Sequence, residues 1–253
     1  MKINKVAQQW MELAPHWIKE SREGRNAMRV GLLDKAVIQA CGCVQGLEVL
    51  DVGCGEGRFS RMLVDRGARR VLGVDLCEPM IKAASELASG KDSYSVADAQ
   101  DLSFLGNGSF DLAVSYLNQS DLPNFAANSR EVFRVLRPEG RFIVCNLHPM
   151  RSATGSWQRS TDGSKLHVIL DRYFDEGERH WNLMGTELTN FHRTLSSYVR
   201  GYRKCGFAIE DLIEPTVDPA DLVRYPELDD ELRVPNFIIF VLKKENRPDY
   251  AAI

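Results

Sequence analysis

Three glycines at alternate positions, Gly53, Gly55 and Gly57, follow the apolar run Val49-Leu50-Asp51-Val52 and precede a helical pattern opening at Phe59. A strand ending in glycine can turn through positive φ, and the missing Cβ lets a bulky ligand lie against the backbone. The GxGxG spacing is one residue shorter than the GxGxxG loop that aims a helix N-terminus at a pyrophosphate. After the helical stretch 59–66, Gly67 stops the helix, and Val71-Leu72-Gly73-Val74-Asp75 reads as a second buried strand ending in a carboxylate. Asp75 stands 22 residues beyond Gly53, the separation at which an acid on the neighbouring parallel strand reaches both ribose hydroxyls. Nicotinamide enzymes use the same device, so loop and acid together specify a nucleoside without choosing among cofactors.

The elements that must position these residues alternate. Residues 6–18 and 27–39 read as two helices before the first strand, and helix and strand patterns then alternate to about residue 147. Pro79 suits the first turn of a helix through Ala88, and Gly90 suits its end. Right-handed crossovers make such a run a parallel sheet covered on both faces. Residues 207–213 and 236–243 read as two further strands that complete it. Between them and the alternating part, about residues 148–194 break the pattern, and Gly177, between Tyr173-Phe174 and Arg179-His180-Trp181, predicts the turn of a β-hairpin. Standing over the carboxyl ends of the strands, this insertion is expected to act as a lid over the substrate or, alternatively, as a dimer contact. Its aromatic residues, Trp157, Tyr173, Phe174 and Trp181, suit a flat or apolar substrate and equally an ordinary lid core.

A chain of 253 residues with 44% hydrophobic residues can bury one large core. The net charge of −3 speaks against a nucleic-acid surface, and Arg61, Arg66, Arg69 and Arg70 read as a solvated helix face. The chain has no apolar run of membrane-spanning length, and Met1-Lys2-Ile3-Asn4 leads into polar residues in place of a signal-peptide core, so a cytoplasmic protein is expected. Six cysteines fall mostly in predicted strands or the glycine loop and read as reduced thiols; Cys41-Gly42-Cys43 has no second pair at ligand spacing, so no metal is expected.

The chain VLDVGCGEGRF resembles motif I of the class I S-adenosylmethionine-dependent methyltransferases. The later motifs follow in that family's order: Asp75; Ser95-Val96-Ala97-Asp98-Ala99; Phe110-Asp111-Leu112-Ala113-Val114-Ser115-Tyr116-Leu117; and Val135-Leu136-Arg137-Pro138-Glu139-Gly140 before a fifth strand. The resemblance implies a Rossmann-like α/β fold, a seven-stranded, mostly parallel sheet with an antiparallel last strand and helices on both faces. Residues 1–45 become a helical cap over the cofactor, and 46–253 the methyltransferase core with the insertion at 148–194. The implied cofactor is S-adenosylmethionine, leaving as S-adenosylhomocysteine. Gly53, Gly55 and Gly57 shape its loop, Asp75 takes the ribose, Asp98 and Ala99 the adenine, and Tyr116 and Leu117 the amino-acid end, with Asp51, Leu76, Met80 and Gln100 completing the set. In similar enzymes the N-terminal segment folds over the methionine moiety, which brings in Trp17, Arg25 and Asn26, with Arg22 or Arg25 able to meet its carboxylate. Trp10 and Trp17, seven residues apart, also suit one buried helix face.

A hydroxyl or protonated amine attacking the sulfonium methyl benefits from a base of near-neutral pKa, and histidine fits best. His148, in Asn146-Leu147-His148-Pro149, and His192, in Phe191-His192-Arg193-Thr194-Leu195, are the candidates; each equally suits a hydrogen-bonding role in the lid or turn. Similar HP and YHRPL sequences, followed by a GF strand and an EP dipeptide, occur in a bacterial small-molecule branch of the family, with Thr194 here replacing the proline. Methyl transfer to oxygen or nitrogen of a small-molecule acceptor, by a monomer or homodimer, is therefore expected. The alternatives are a methyltransferase acting on a macromolecule, although no NPPY-type signature for a flipped base is present, or a non-catalytic S-adenosylmethionine-binding protein. A nicotinamide oxidoreductase is disfavoured by the glycine spacing.

Overall fold

The computed structural model describes residues 5–245; Met1 to Asn4, where the lack of a signal-peptide core was read, lie outside them. The chain opens with helix α1 (Lys5–Arg22), then a helical stretch whose π-turn (Arg29–Leu33) runs into α2 (Asp34–Cys41). Five strands follow, β1 (Glu48–Val52), β2 (Arg70–Asp75), β3 (Asp92–Val96), β4 (Phe110–Tyr116) and β5 (Leu136–Leu147). Helix α3 (Arg58–Asp65) joins the first two, α4 (Glu78–Glu86) the next two, and α5 (Phe125–Val135) precedes β5. The short α6 (Pro149–Ser152) leads to two hairpins, β6 (Thr154–Arg159) with β7 (Lys165–Leu170) and β8 (Gly177–Leu183) with β9 (Thr186–His192). Helix α7 (Leu195–Lys204), β10 (Phe207–Ile213) and β11 (Phe237–Lys244) finish the fold. None of the described helices is long and apolar enough to cross a membrane.

The seven-stranded sheet runs β10-β11-β5-β4-β1-β2-β3. Neighbours from β3 to β5 are parallel, whereas β11 is antiparallel to both β5 and β10. This is the expected mostly parallel sheet with its antiparallel last strand. Alternate residues of each strand feed opposite faces, as the pleat requires. Ile143 and Cys145 join Val49, Val114 and Ile239 under α2 and α3, while Phe142 and Val144 join Leu50, Ala113 and Phe240 under α5 and α7. Both faces being buried, the strands read as continuous apolar runs in the sequence. The strand order reverses between β1 and β4, and a crevice opens there outside the carboxyl ends.

The insertion departs from its expected form. Gly177 does not centre a turn: it opens β8 and pairs with His192, and the β8–β9 turn falls at Met184 and Gly185, both at positive φ. A second hairpin, β6–β7, precedes it, its connection holding Asp162-Gly163 with Gly163 at φ +87°, a turn signal that the sequence reading did not use. Thr194 caps α7, its hydroxyl accepting the Ser197 N–H at 3.2 Å, and this replaces what a first-turn proline would supply.

Candidate active site

The crevice begins at the glycine loop. Gly53 turns at φ +74°, and the N–H groups of Gly53 and Cys54 donate to the Val74 carbonyl at 2.8 and 3.0 Å, folding the loop back onto β2. A Cβ on Gly53 would lie 2.3 Å from the Asn118 side chain, so the turn is closed to any other residue by sterics as well as by φ. Asp75, at the end of β2, receives the Gly55 N–H on one oxygen (2.9 Å) and the Cys77 N–H on the other (2.8 Å). These bonds fix the carboxylate and leave each oxygen a second lone pair. Burial raises its pKa against the pull of those amides. Deeper in, Asp51 accepts the Ser60 hydroxyl at 2.6 Å, and burial pushes it up to about 6. Asp98 is oriented by Gln100, whose backbone and side-chain nitrogens donate to it at 2.8 and 3.1 Å.

Helix α1 lies across the mouth. Trp10 and Trp17 meet edge to face with centroids 5.6 Å apart and pack with Ala14, Cys77 and Met80. Gln9 accepts the Thr189 N–H of β9 at 3.0 Å, and Arg22 donates to Ala83 of α4 at 2.9 Å, so the helix is tied down at both ends. The Trp10 indole N–H reaches Asp121 at 3.1 Å, on the 3₁₀ turn Gln119–Asp121 that follows β4. Asp121 is half-buried at the cleft wall, and desolvation pushes its carboxyl up to about 7, Trp10 and Ser120 opposing.

The resulting cleft encloses about 990 Å³ counted to its open mouth. The structure brings to its wall Trp17, Asp51, Gly53, Gly55, Asp75, Leu76, Met80, Asp98, Ala99, Tyr116 and Leu117 from the sequence-predicted set. Gly57 stands just beneath, at the start of α3, where a Cβ would lie 2.6 Å from the Tyr94 hydroxyl. Gln100 is also off the wall, since its Oε1 accepts the Asn124 N–H that starts α5.

The N-terminal assignment shifts by a turn. Arg25 is 60% exposed and paired with Glu20 and Glu23, and Asn26 accepts the Arg29 N–H at 3.1 Å, opening the helical stretch. Arg29 is the residue that enters the cleft, its guanidinium over the Trp17 ring (5.0 Å) and the Tyr116 ring (4.7 Å). The π-turn sets this orientation, with the Asp34 N–H bonding back to the Arg29 carbonyl. Asp34 is itself clasped by Arg58 at 2.6 and 2.7 Å and by the Tyr116 hydroxyl at 3.0 Å. Arg29, Asn118 and Asp121 escaped the sequence reading, which gave Trp10 a packing role with Trp17 but not its bond to Asp121. An acid just past the carboxyl end of β4 was the available signal for Asp121.

Neither candidate histidine reaches the cleft wall. His148 accepts the Met150 N–H on Nδ1 at 3.0 Å and meets Glu214 through Nε2 at 3.1 Å; burial lowers its pKa against that carboxylate. His192 is fully buried, with Nε2 2.7 Å from the Tyr173 carbonyl and Nδ1 2.6 Å from the Ser152 hydroxyl. A carbonyl only accepts, so the Nε2–H donates to Tyr173. The insertion's aromatics stand elsewhere too: Trp157 donates to Asp230 at 2.8 Å, and Phe174 is 85% exposed.

The methyltransferase-domain family matches residues 50–144. A solved S-adenosylmethionine-dependent methyltransferase from Mesorhizobium loti is 33% identical, with a TM-score of 0.75, covering 83% of this chain and 96% of that one. The chain belongs to the S-adenosylmethionine-dependent methyltransferase family. A second solved methyltransferase structure, from Listeria monocytogenes, has the same TM-score of 0.75 at 30% identity, again covering 83% and 96%. The tocopherol O-methyltransferase of Arabidopsis thaliana is 34% identical over 123 residues, 45% of this chain and 35% of that protein.

S-adenosylmethionine is the methyl donor of this methyltransferase, and the cleft suits it on local grounds. Arg29 Nε, Asn118 Oδ1 and Glu56 Oε1, all from residues of the cleft wall, are buried without a hydrogen-bond partner. Such groups are costly unless something answers them. A cation between aromatic faces suits a carboxylate, and the amide oxygen of Asn118 suits an ammonium group.

Proposed function

We propose that this methyltransferase transfers the methyl group to an oxygen or nitrogen of a small-molecule acceptor, working as a monomer or homodimer in the cytoplasm. The observation that carries this reading is the cleft roofed by helix α1, a concave site lined by aromatic side chains, Trp10, Trp17 and Tyr116 among them, with a few placed polar groups, as small-molecule sites are. A relative named as an O-methyltransferase supports the same class of acceptor.

In this reading Asp75 accepts from the ribose hydroxyls, Asp98 and the Ala99 amide hold the adenine, and the loop from Gly53 to Gly55 passes under the nucleoside. Arg29, held by Trp17 and Tyr116, takes the methionine carboxylate in place of Arg25. Bound there, the donor supplies an electrophilic methyl on a sulfonium whose leaving group is a neutral thioether. The protein's own task is to hold the two reactants in line and keep water out, and α1 across the mouth serves both. His148 and His192 become struts: the first ties β5 to Glu214 after β10, and the second locks Tyr173 and Ser152 around the end of β9.

Thermal unfolding tests the reading. S-adenosylhomocysteine at about 100 times its Kd should add about 2.7 kcal/mol, which for a chain of this size is a rise of roughly 5–10 °C. NAD should give none, and a shift with NAD alone would reverse the assignment. Release of S-adenosylhomocysteine on incubation with fractionated small metabolites, and none with macromolecular fractions, would bear out the acceptor class.

A further inference from the structure

The cleft holds more acid than the donor uses. Of the four aspartates on its wall, Asp75 and Asp98 sit at the ends of β2 and β3, where the nucleoside reading places them, and Asp51 is tied to Ser60 at the base. Glu56 is paired with Arg61 at 2.6 Å. Asp121 has none of these duties. It reaches the wall from the turn after β4, and its hydrogen-bond partner from outside that turn is an indole N–H from α1.

Its place in the sheet order gives the acid a direction. The loops after β1, β2 and β3 carry the nucleoside residues, so an acceptor must approach from the other side of the switch point, over β4 and β5. Asp121 stands at that boundary. The turn is held from the same side, where the Arg193 guanidinium at the end of β9 donates to the carbonyls of Gln119 (3.2 Å), Leu122 and Pro123 (3.1 Å). No histidine is present on the cleft wall to do the work instead.

We infer that Asp121 faces the reacting centre, stabilises the sulfonium of S-adenosylmethionine by its charge, and receives the proton released by the acceptor. The inference rests on the donor reading above. In the step, the acceptor's lone pair forms the bond to the methyl carbon, and the carbon–sulfur pair stays on sulfur as a neutral thioether. The acceptor's O–H or N–H proton passes to the Asp121 carboxylate. A buried cation and a buried anion are thus both neutralised, which ends the desolvation of both charges and removes the attraction that would retain the product.

The surroundings allow the charge to change near neutrality. Burial, and to a smaller extent Asp75 at the end of β2, raise the Asp121 pKa, while Trp10, Ser120 and Arg193 lower it. Helix α1 presents the neutral Trp10, α5 presents Asn128, which Gln119 of the same turn contacts at 2.7 Å, and β5 ends there in Asn146 and Leu147.

The test needs no acceptor. Calorimetric titration of the purified chain with S-adenosylmethionine and with S-adenosylhomocysteine, at pH values either side of neutrality, gives the ratio of the two Kd values. As Asp121 ionises, preference for the sulfonium should rise roughly tenfold, and in Asp121→Asn the ratio should stay flat while S-adenosylhomocysteine still binds. Trp10→Phe removes a hydrogen bond that favours the ionised form, so it should move the midpoint to higher pH; this second variant reads the same group if Asp121→Asn fails to fold. A flat ratio in the unmodified protein, or an unchanged pH response in either variant, overturns the inference. Failure of both ligands to bind overturns the donor reading instead.

Discussion

Among single residues, Arg29 carries the sharpest expectation. Its Nε is buried without a partner and its flat face lies against two rings, an arrangement stabilised once a carboxylate arrives. Arg29→Ala should weaken S-adenosylhomocysteine by about tenfold or more, the worth of a hydrogen bond to a charged group. Binding of methylthioadenosine, which lacks the carboxylate, should be unchanged; equal losses for both would show that Arg29 merely props the wall. Asp75→Ala should weaken both ligands alike, because both carry the ribose that the proposed site sets against Asp75. Gly53, Gly55, Gly57 and Asp75 could be read from sequence because each answers to a local rule, a turn or a strand end. Arg29 could not, because a π-turn shifts the helix register and ordinary helical periodicity does not report it. Asp121 was hidden for a different reason: its burial comes from α1, more than a hundred positions earlier in the chain.

At the scale of elements, β9 and the turn after β4 act as a unit through Arg193. Its guanidinium lies over Phe125 (4.9 Å) and Phe191 (5.5 Å) while donating to three carbonyls of the turn. Lysine cannot reproduce that fork. Arg193→Lys should therefore cost about 1–3 kcal/mol in urea unfolding, and a stability equal to the parent would mean the turn holds itself. The strands and helices of the core were legible because buried parallel strands and capped helices carry strong patterns. The insertion was not, since Gly177 has a turn residue's positive φ yet opens a strand, and every β7 side chain is exposed or half-exposed, so burial imposes no alternation there. A segment that packs against α1 and the 119–121 turn takes its shape from partners that local sequence does not contain.

For the molecule as a whole, burial sets how stability responds to pH. Asp51, Asp121 and Glu231 are held above their ordinary range, at about 6, about 7 and about 7. Each binds its proton more tightly folded than unfolded. The stability each confers is therefore complete below the ordinary carboxylate pKa and is lost as pH rises through the folded value. Glu231 lies outside the cleft, with Oε1 accepting from Asn236 at 2.7 Å and Oε2 buried without a partner. Glu231→Gln stays neutral, so its stability relative to the parent should climb from about pH 4.5 to about pH 7 and then level off. Denaturant midpoints measured across that range check this, and parallel curves would refute it. The strand order also bears on how the chain is made. Strand β10 is synthesised before β11 but bonds to the sheet only through it. Until β11 slides in between, the emerging chain carries an unpaired edge on β5 and a stray strand beside it. A chain cut short between residues 213 and 237 would therefore keep the glycine loop and the five parallel strands, yet leave β5 as an unpaired edge open to wrong pairing.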